Sequence, residues 1–336
     1  MKVETQPPVT VLTPVHNGEK YLAECIESVL AQTYHNWEYC IINNCSTDRT
    51  LEIAKAYAAK DKRIRLISNS HFAGRQANHN IAFRQITYYS RYCKVVHADD
   101  WLFPECIMKM VELAEANPTV GIVGAYGLSN NRVLWMGVPY DKAVVSGREV
   151  CKANLLGGPY ICGTPTSMLI RADEIRKRQT FYNEASQHAD HEVCFDILRI
   201  RDFGFVHQIL TFTRVHEETA SGFADRYNTY LHGVLEVLSK YGMVYLTREE
   251  YERQMRQFWT GYYAFLGSKV FRNREKGFWE YHQKELLRLG YSLKRGRIAK
   301  AMLMELLDLA MNPLSTTLRI ATKIQHSLQN GSREGC

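Results

Sequence analysis

Apolar and polar positions along the first 130 residues switch repeatedly between the period of a strand and that of a helix. Val9-Thr10-Val11-Leu12-Thr13 predicts a strand; Tyr21, Leu22, Cys25, Ile26, Val29 and Leu30 then share one face of a helix over 19–31. Tyr39-Cys40-Ile41-Ile42 predicts a second strand, and Thr50 to Ala59 a second helix opened by Ser46-Thr47-Asp48. Ile64 to Ile67 reads as a strand, Arg75 to Tyr89 as mostly helix, Cys93 to Val96 as a strand, Glu105 to Asn117 as a helix, and Gly121 to Ala125 as a strand. Strands separated by helices of this length imply an α/β domain whose mostly parallel sheet carries crossover helices.

Residues 127–165 are rich in Gly and Pro and predict no clear element. Gly204-Phe205-Val206 and Ile209 to Val215 predict two strands that close the domain. From about residue 226 the pattern turns helical. Apolar stripes run over 298–311 (Ile298, Met302, Leu306, Leu309, Ala310) and 314–328 (Leu314, Leu318, Ala321, Ile324, Leu328), with Arg319, Lys323 and His326 on a basic side of the second. The expected division is therefore an α/β domain over 1–225 and a helical extension over 226–336.

Charge supports the same division. The net charge of +7 lies in residues 231–336, which hold 17 Lys and Arg against 10 Asp and Glu, whereas the first 230 hold 25 of each. A basic helical module suits either an interfacial helix on an anionic membrane or docking on the α/β domain or a second subunit. Nine scattered cysteines without a C-x-x-C pair argue against a disulfide framework or zinc site and for a reducing compartment. The polar start of the chain and the lack of an apolar run near 20 residues place it in the cytoplasm. A nucleic-acid partner is not expected, and no G-x-G-x-x-G follows the first strand, which argues against a dinucleotide oxidoreductase.

Chemistry-bearing residues collect after the strands. Thr13-Pro14-Val15-His16-Asn17-Gly18 follow the first, Asn43-Asn44-Cys45-Ser46-Thr47-Asp48 the second, and His97-Ala98-Asp99-Asp100 the fourth. In a parallel α/β sheet, ligands bind beyond the carboxyl ends of the strands. Two adjacent carboxylates at Asp99 and Asp100 suit a hard divalent cation completed by a phosphorylated substrate, or a helix N-cap. Their place on a shared edge favours the cation.

These runs resemble a known family. Val11-x-x-Pro14-x-x-Asn17, Leu22, Ser28-Val29-Leu30, Gln32-Thr33 and Trp37-Glu38 resemble the opening of the family 2 glycosyltransferases of the GT-A fold. Asn44-x-Ser46-Thr47-Asp48, then Asn69, Gly74, Asn80 and Ala82, and His97 to Pro104 resemble its next blocks. Gly163-Thr164-Pro165, Met168 to Arg171, Ala189-Asp190 and Arg214-Val215-His216 before Ser221 follow its acceptor-side order, so the resemblance spans about residues 8–222.

The resemblance implies metal-dependent, inverting transfer of a sugar from a nucleotide-sugar donor, UDP-linked, to a saccharide or lipid-linked saccharide, as in bacterial surface-polysaccharide assembly. It implies a divalent cation, Mn2+ or Mg2+, on Asp99 and Asp100, with His216 as a third ligand or diphosphate contact. Thr13, Pro14, Asn17, Asn44, Asp48, Arg75, His97 and Asp99 would hold the donor. Asp190 would be the base, with Glu192 as runner-up, and Thr164 and Thr166 would line the acceptor pocket. Three positions depart from the family pattern: Asn43-Asn44 replace two acidic residues, His97 replaces the first carboxylate of the metal motif, and His79 replaces an arginine. These departures leave open a nucleotide- or carbohydrate-binding module without turnover; a nucleotidyl-type transferase is a further alternative.

Overall fold

The computed structural model describes residues 6–214, 226–270 and 275–311. They fall into two compact units, 1–251 and 252–336. The first is built on a mixed ten-stranded sheet. Its amino-terminal half is the expected β/α alternation: β1 (Val9–Val15), α1 (Leu22–Leu30), β2 (Trp37–Asn43), α2 (Thr50–Lys60), β3 (Ile64–Ser68), α3 (Arg75–Phe83) and β4 (Tyr92–Val95). The parallel order is β3-β2-β1-β4. Every residue of β1 is buried, as suits a strand covered on both faces. Leu22, Cys25, Ile26 and Val29 supply the buried stripe of α1.

The second half of the sheet is mixed. It contains β5 (Trp101–Leu102), α4 (Cys106–Ala116), β6 (Val120–Ser129), β7 (Arg132–Leu134), β8 (Val144–Val145), α5 (Gly147–Leu155), β9 (Leu169–Arg171), α6 (Ala172–Arg176), α7 (Ala189–Leu198) and β10 (Asp202–Phe212). Strand β9 lies between β4 and β6 and is antiparallel to both, while β6 and β10 run parallel.

Three expectations are corrected here. Helix α3 stops at Phe83 rather than reaching Tyr89: Arg65 takes the carbonyl of Gln85, and Thr87 bonds to Ser90, local side-chain contacts that compete with the helical ladder. The two closing strands are one, β10, whose register slips between Val206 and Ile209. Residues 127–165 hold the end of β6, a hairpin to β7 through Asn130 at φ 51°, and α5. Position 147, where α5 starts, takes glycine because a Cβ there would lie 2.0 Å from the Arg201 carbonyl oxygen.

Helix α8 (Tyr230–Tyr245) packs on α5 and α7, with the Tyr241 hydroxyl donating to Asp196 at 2.7 Å. Helix α9 (Arg248–Lys269) follows. In the second unit Tyr262 bonds to His282 of α10 (Lys276–Arg288) at 2.9 Å, beside Phe278. Helix α11 (Arg295–Met311) leaves Leu303, Met304, Leu306, Leu307 and Met311 exposed. The stripe expected over 314–328 lies outside the described residues. No described helix is long and apolar enough to cross a membrane.

Candidate active site

The carboxyl ends of β1 and β2 are tied to each other by their own polar side chains. Asn17 adopts a left-handed φ of 50°, and its Oδ1 accepts the Thr47 amide at 2.9 Å. The two oxygens of Asp48 accept the amides of Thr50 and Glu19, both at 3.0 Å. Burial pushes the Asp48 carboxyl up, but those bonds together outweigh it and hold it below its usual range. Pro14 is buried within β1. Thr13, expected to contact the donor, spends its side chain elsewhere: it donates to the Val96 carbonyl at 2.7 Å and so must accept from Tyr39 at 2.8 Å.

Two asparagines clamp the ends of α3. Asn44 is buried, donates to the Ala73 carbonyl at 2.8 Å and accepts both the Ala73 amide and Asn69 Nδ2 at 2.9 Å. Asn80 treats Tyr182 the same way, donating to its carbonyl at 2.9 Å and accepting its amide at 2.8 Å. Each reads both polar groups of one backbone residue, which a carboxylate could not do. Helix α3 is thereby fixed between the β2 edge and the segment leading to α7.

Between these clamps lies the turn after β4, closed by the Asp100 amide donating to the His97 carbonyl at 3.0 Å. His97, Asp99 and Asp100 each offer a ligand atom, all within 4.8 Å of one another. Asp100 is only 3% exposed. Its Oδ2 accepts the Thr166 hydroxyl at 2.6 Å and its Oδ1 the Arg214 amide at 2.9 Å. Burial, reinforced by the neighbouring Asp99 charge, pushes the Asp100 carboxyl up to about 7. Two converging carboxylates and an imidazole, one carboxylate so destabilised as an anion, form a donor set that fits a divalent cation.

Thr166 was expected along the acceptor pocket, but it is fully buried under this turn, where it also accepts the His97 amide at 3.1 Å. Lys94, on β4 and fully buried, supports it by donating to the carbonyls of Thr166 (2.5 Å) and Met168 (3.2 Å); burial lowers its pKa. Arg214 lies over the Tyr21 ring (4.1 Å), donates to the Asp99 carbonyl at 3.1 Å and pairs with Glu24 at 2.6 Å. Sequence reading did not single out Thr166, Lys94 and Arg214 for these supporting roles, because each acts on residues far away in the chain. The clustering of His79 and His97 was equally hidden, although both positions stood out as departures from the family pattern.

Arg75 at the start of α3 donates to the Gln187 carbonyl at 2.8 Å, tying that helix to the segment before α7. Asp190 lies in the first turn of α7, half-buried, and among the described residues no hydrogen bond or ion pair occupies its carboxylate. Burial and then the Asp190 charge hold the Tyr182 phenol well above its usual range, and the Tyr182 ring lies 5.5 Å from that of His79. Glu192 is held by Lys240 instead. It lines a separate cavity of about 520 Å³ with Arg178, Phe181 and Asp196, which includes neither Asp190 nor the His97 turn. Thr164 bonds to Ser167 at 3.3 Å. His216 lies outside the described residues.

Residues 10–174 match the family model for glycosyl transferase family 2. An uncharacterized glycosyltransferase of Haemophilus influenzae is 28% identical over 227 residues, covering 65% of this chain and 69% of its own. Among solved structures, S. aureus TarS residues 1–349 in complex with UDP-GlcNAc superposes with a TM-score of 0.59 at 17% identity, over 81% of this chain and 78% of that one. The mannosyltransferase PcManGT of Pyrobaculum calidifontis, in complex with GDP-Man and Mn2+, gives 0.57 at 14% identity over 93% and 88%. These likenesses establish the GT-A architecture that the strand order and the shared site edge describe. Residues 10–174 place the α/β domain in glycosyl transferase family 2.

Proposed function

We propose that the protein moves a sugar from a nucleotide sugar, UDP-linked, to a hydroxyl of a saccharide or lipid-linked saccharide, with inversion and with a divalent cation, Mn2+ or Mg2+. The observation that carries this reading is the convergence of His97, Asp99 and Asp100 on the carboxyl edge of the sheet. A cation held by Asp99 and Asp100 would stabilise the negative charge that develops on a departing diphosphate. Asp190 acts as the base, taking the proton of the attacking hydroxyl on the face opposite the nucleotide. Glu192 cannot serve as readily, because Lys240 already neutralises it.

The donor is seated by the backbone of the Pro14–Asn17 turn, which Asn17 and Asp48 fix, with Arg75 toward the diphosphate. Thr164 borders the acceptor. The named neighbours that bind UDP-GlcNAc or GDP-Man support a nucleotide-sugar donor here. A cytoplasmic enzyme touching the inner membrane face through its basic carboxyl-terminal helices suits a lipid-linked acceptor, and the apolar face that α11 exposes is consistent with that contact or with a second subunit.

The test is metal-dependent release of nucleotide from a panel of UDP, GDP and dTDP sugars. Release that stops on chelation and in Asp99→Ala supports the reading. Nucleotide-sugar binding with no turnover in the wild-type protein, under any metal or acceptor, overturns it in favour of a binding module.

A further inference from the structure

His79 and His97 meet edge to face, Nε2 to Nε2 at 3.2 Å, with their ring planes at 87°. A contact of that length between two neutral imidazoles needs one donor and one acceptor. Which is which follows from the other end of His79, whose Nδ1 lies 2.9 Å from the Arg75 carbonyl. A carbonyl only accepts, so Nδ1 of His79 carries that ring's hydrogen. Its Nε2 is then the lone pair, and His97 must donate from Nε2. The remaining nitrogen of His97, Nδ1, is left with a lone pair, and it faces Asp100 Oδ2 at 3.8 Å. That separation is too long for a hydrogen bond. Two ligand atoms each about 2.1 Å from one ion lie at most about 4.2 Å apart, so 3.8 Å admits a shared cation.

We propose that the Arg75 carbonyl, acting through His79, fixes His97 in the tautomer that makes Nδ1 a metal ligand, and that the site therefore prefers transition-metal ions to Mg2+. This deepens the metal reading above and rests on it. His97 stands where the family pattern has the first carboxylate of its metal motif, and the sequence alone leaves its imidazole open to the ribose or to the metal. The two departures at positions 79 and 97 are in contact and act as one unit: an imidazole ligand and the group that sets its tautomer. His79 is thus a positioning residue, the outer partner that a ligating histidine normally finds in a carboxylate or carbonyl. Asn44 and Asn80 hold α3 so that His79 reaches His97 at all. Oxygen-only sites favour Mg2+, whereas imidazole nitrogen favours the later divalent ions, Co2+ among them.

Two measurements on the full chain test this. First, 15N spectra of histidine-labelled, metal-free protein read the tautomers directly. His97 is expected with its hydrogen on Nε2 and His79 with its hydrogen on Nδ1; a hydrogen on Nδ1 of His97 overturns the relay whether or not a metal ever binds. Second, competition between Co2+ and Mg2+ alone, followed by the visible Co2+ spectrum, gives the metal preference. His79→Phe, which removes the acceptor, is expected to weaken Co2+ about 10-fold while changing Mg2+ little. His79→Gln, which can still accept from His97, should recover most of the loss, and His97→Asp should abolish the preference. An unchanged Co2+ to Mg2+ ratio in His79→Phe overturns the ligand assignment. Failure of the wild type to bind either ion overturns the metal reading itself, and the proposal with it.

Discussion

The Thr166 hydroxyl donates to Asp100 Oδ2 at 2.6 Å across 66 residues of chain, and Thr166 Oγ1 in turn accepts the His97 amide. One side chain ahead of β9 thus holds both ends of the turn after β4. Thr166→Val keeps the shape and removes both bonds, leaving a buried carboxylate and a buried amide short of a partner. Each such loss costs about 1–3 kcal/mol, so thermal unfolding should begin several degrees lower, at about 2–4 °C per kcal/mol. Thr166→Ser should recover most of it. A Val variant that melts with the wild type would show the bond to be dispensable.

Asn44→Asp restores the acid of the family pattern but places a carboxylate oxygen against the Ala73 carbonyl, where Asn44 now donates. The expected outcome is loss of about 1–3 kcal/mol and looser anchoring of the β3–α3 segment, with no gain in UDP affinity. Calorimetric titration with UDP and GDP, alongside a melting curve, checks it. Tighter UDP binding at undiminished stability would contradict the clamp.

His191 is buried against Tyr160, ring to ring at 4.0 Å, and its Nε2 has no hydrogen-bond partner. Burial first, and then the nearby His188, depress its pKa from 6.5 to about 3. Above pH 6.5 the ring is neutral folded or unfolded. Below it the unfolded chain takes up a proton that the folded one refuses, so stability falls as pH drops from about 6.5 toward 3, by up to about 1.4 kcal/mol per pH unit. His191→Phe should remove that slope from denaturant-unfolding curves recorded across this window. Asp100 acts in the opposite sense. It is raised from 3.8 to about 7, so its contribution is complete below pH 3.8 and is lost as pH rises to about 7.

Asp190→Asn should lower the rate of sugar transfer about 10²–10⁴-fold while leaving donor affinity within a few-fold, because a base acts on the acceptor hydroxyl and not on the nucleotide. Glu192→Gln should instead reduce stability by freeing Lys240 and leave transfer largely intact. Initial rates and donor binding measured on both variants separate the two carboxylates; the reverse pattern would exchange their roles.

Much of the donor half was legible before any coordinates. Runs such as Tyr39–Ile42 are buried on both faces and so read as uninterrupted apolar strands, and the loops after β1, β2 and β4 follow in order. The mixed half was not. Strand β9 is three residues long, β10 is bulged, and α5 starts on a glycine chosen by contact with Arg201 rather than by periodicity. The pair Asp99-Asp100 could be singled out from sequence, but its supports could not. Thr166 and Arg214 reach it from residues 66 and 114 positions from Asp100, and no local pattern marks such a partner.

Strand β9 joins the two halves of the sheet through very little chain. Only two of its residues pair on both sides: Ile170 is aligned with Cys93 and Ile122, and Leu169 with Lys94 and Val123. Such a narrow seam separates two inheritable parts. A descendant could exchange everything after β9 and keep the ladder of β1 to β4 whole, provided a backbone amide still reached Asp100 Oδ1 as that of Arg214 does. Diversification of what the protein builds would then proceed on one side of three residues, while what it draws from stays fixed on the other.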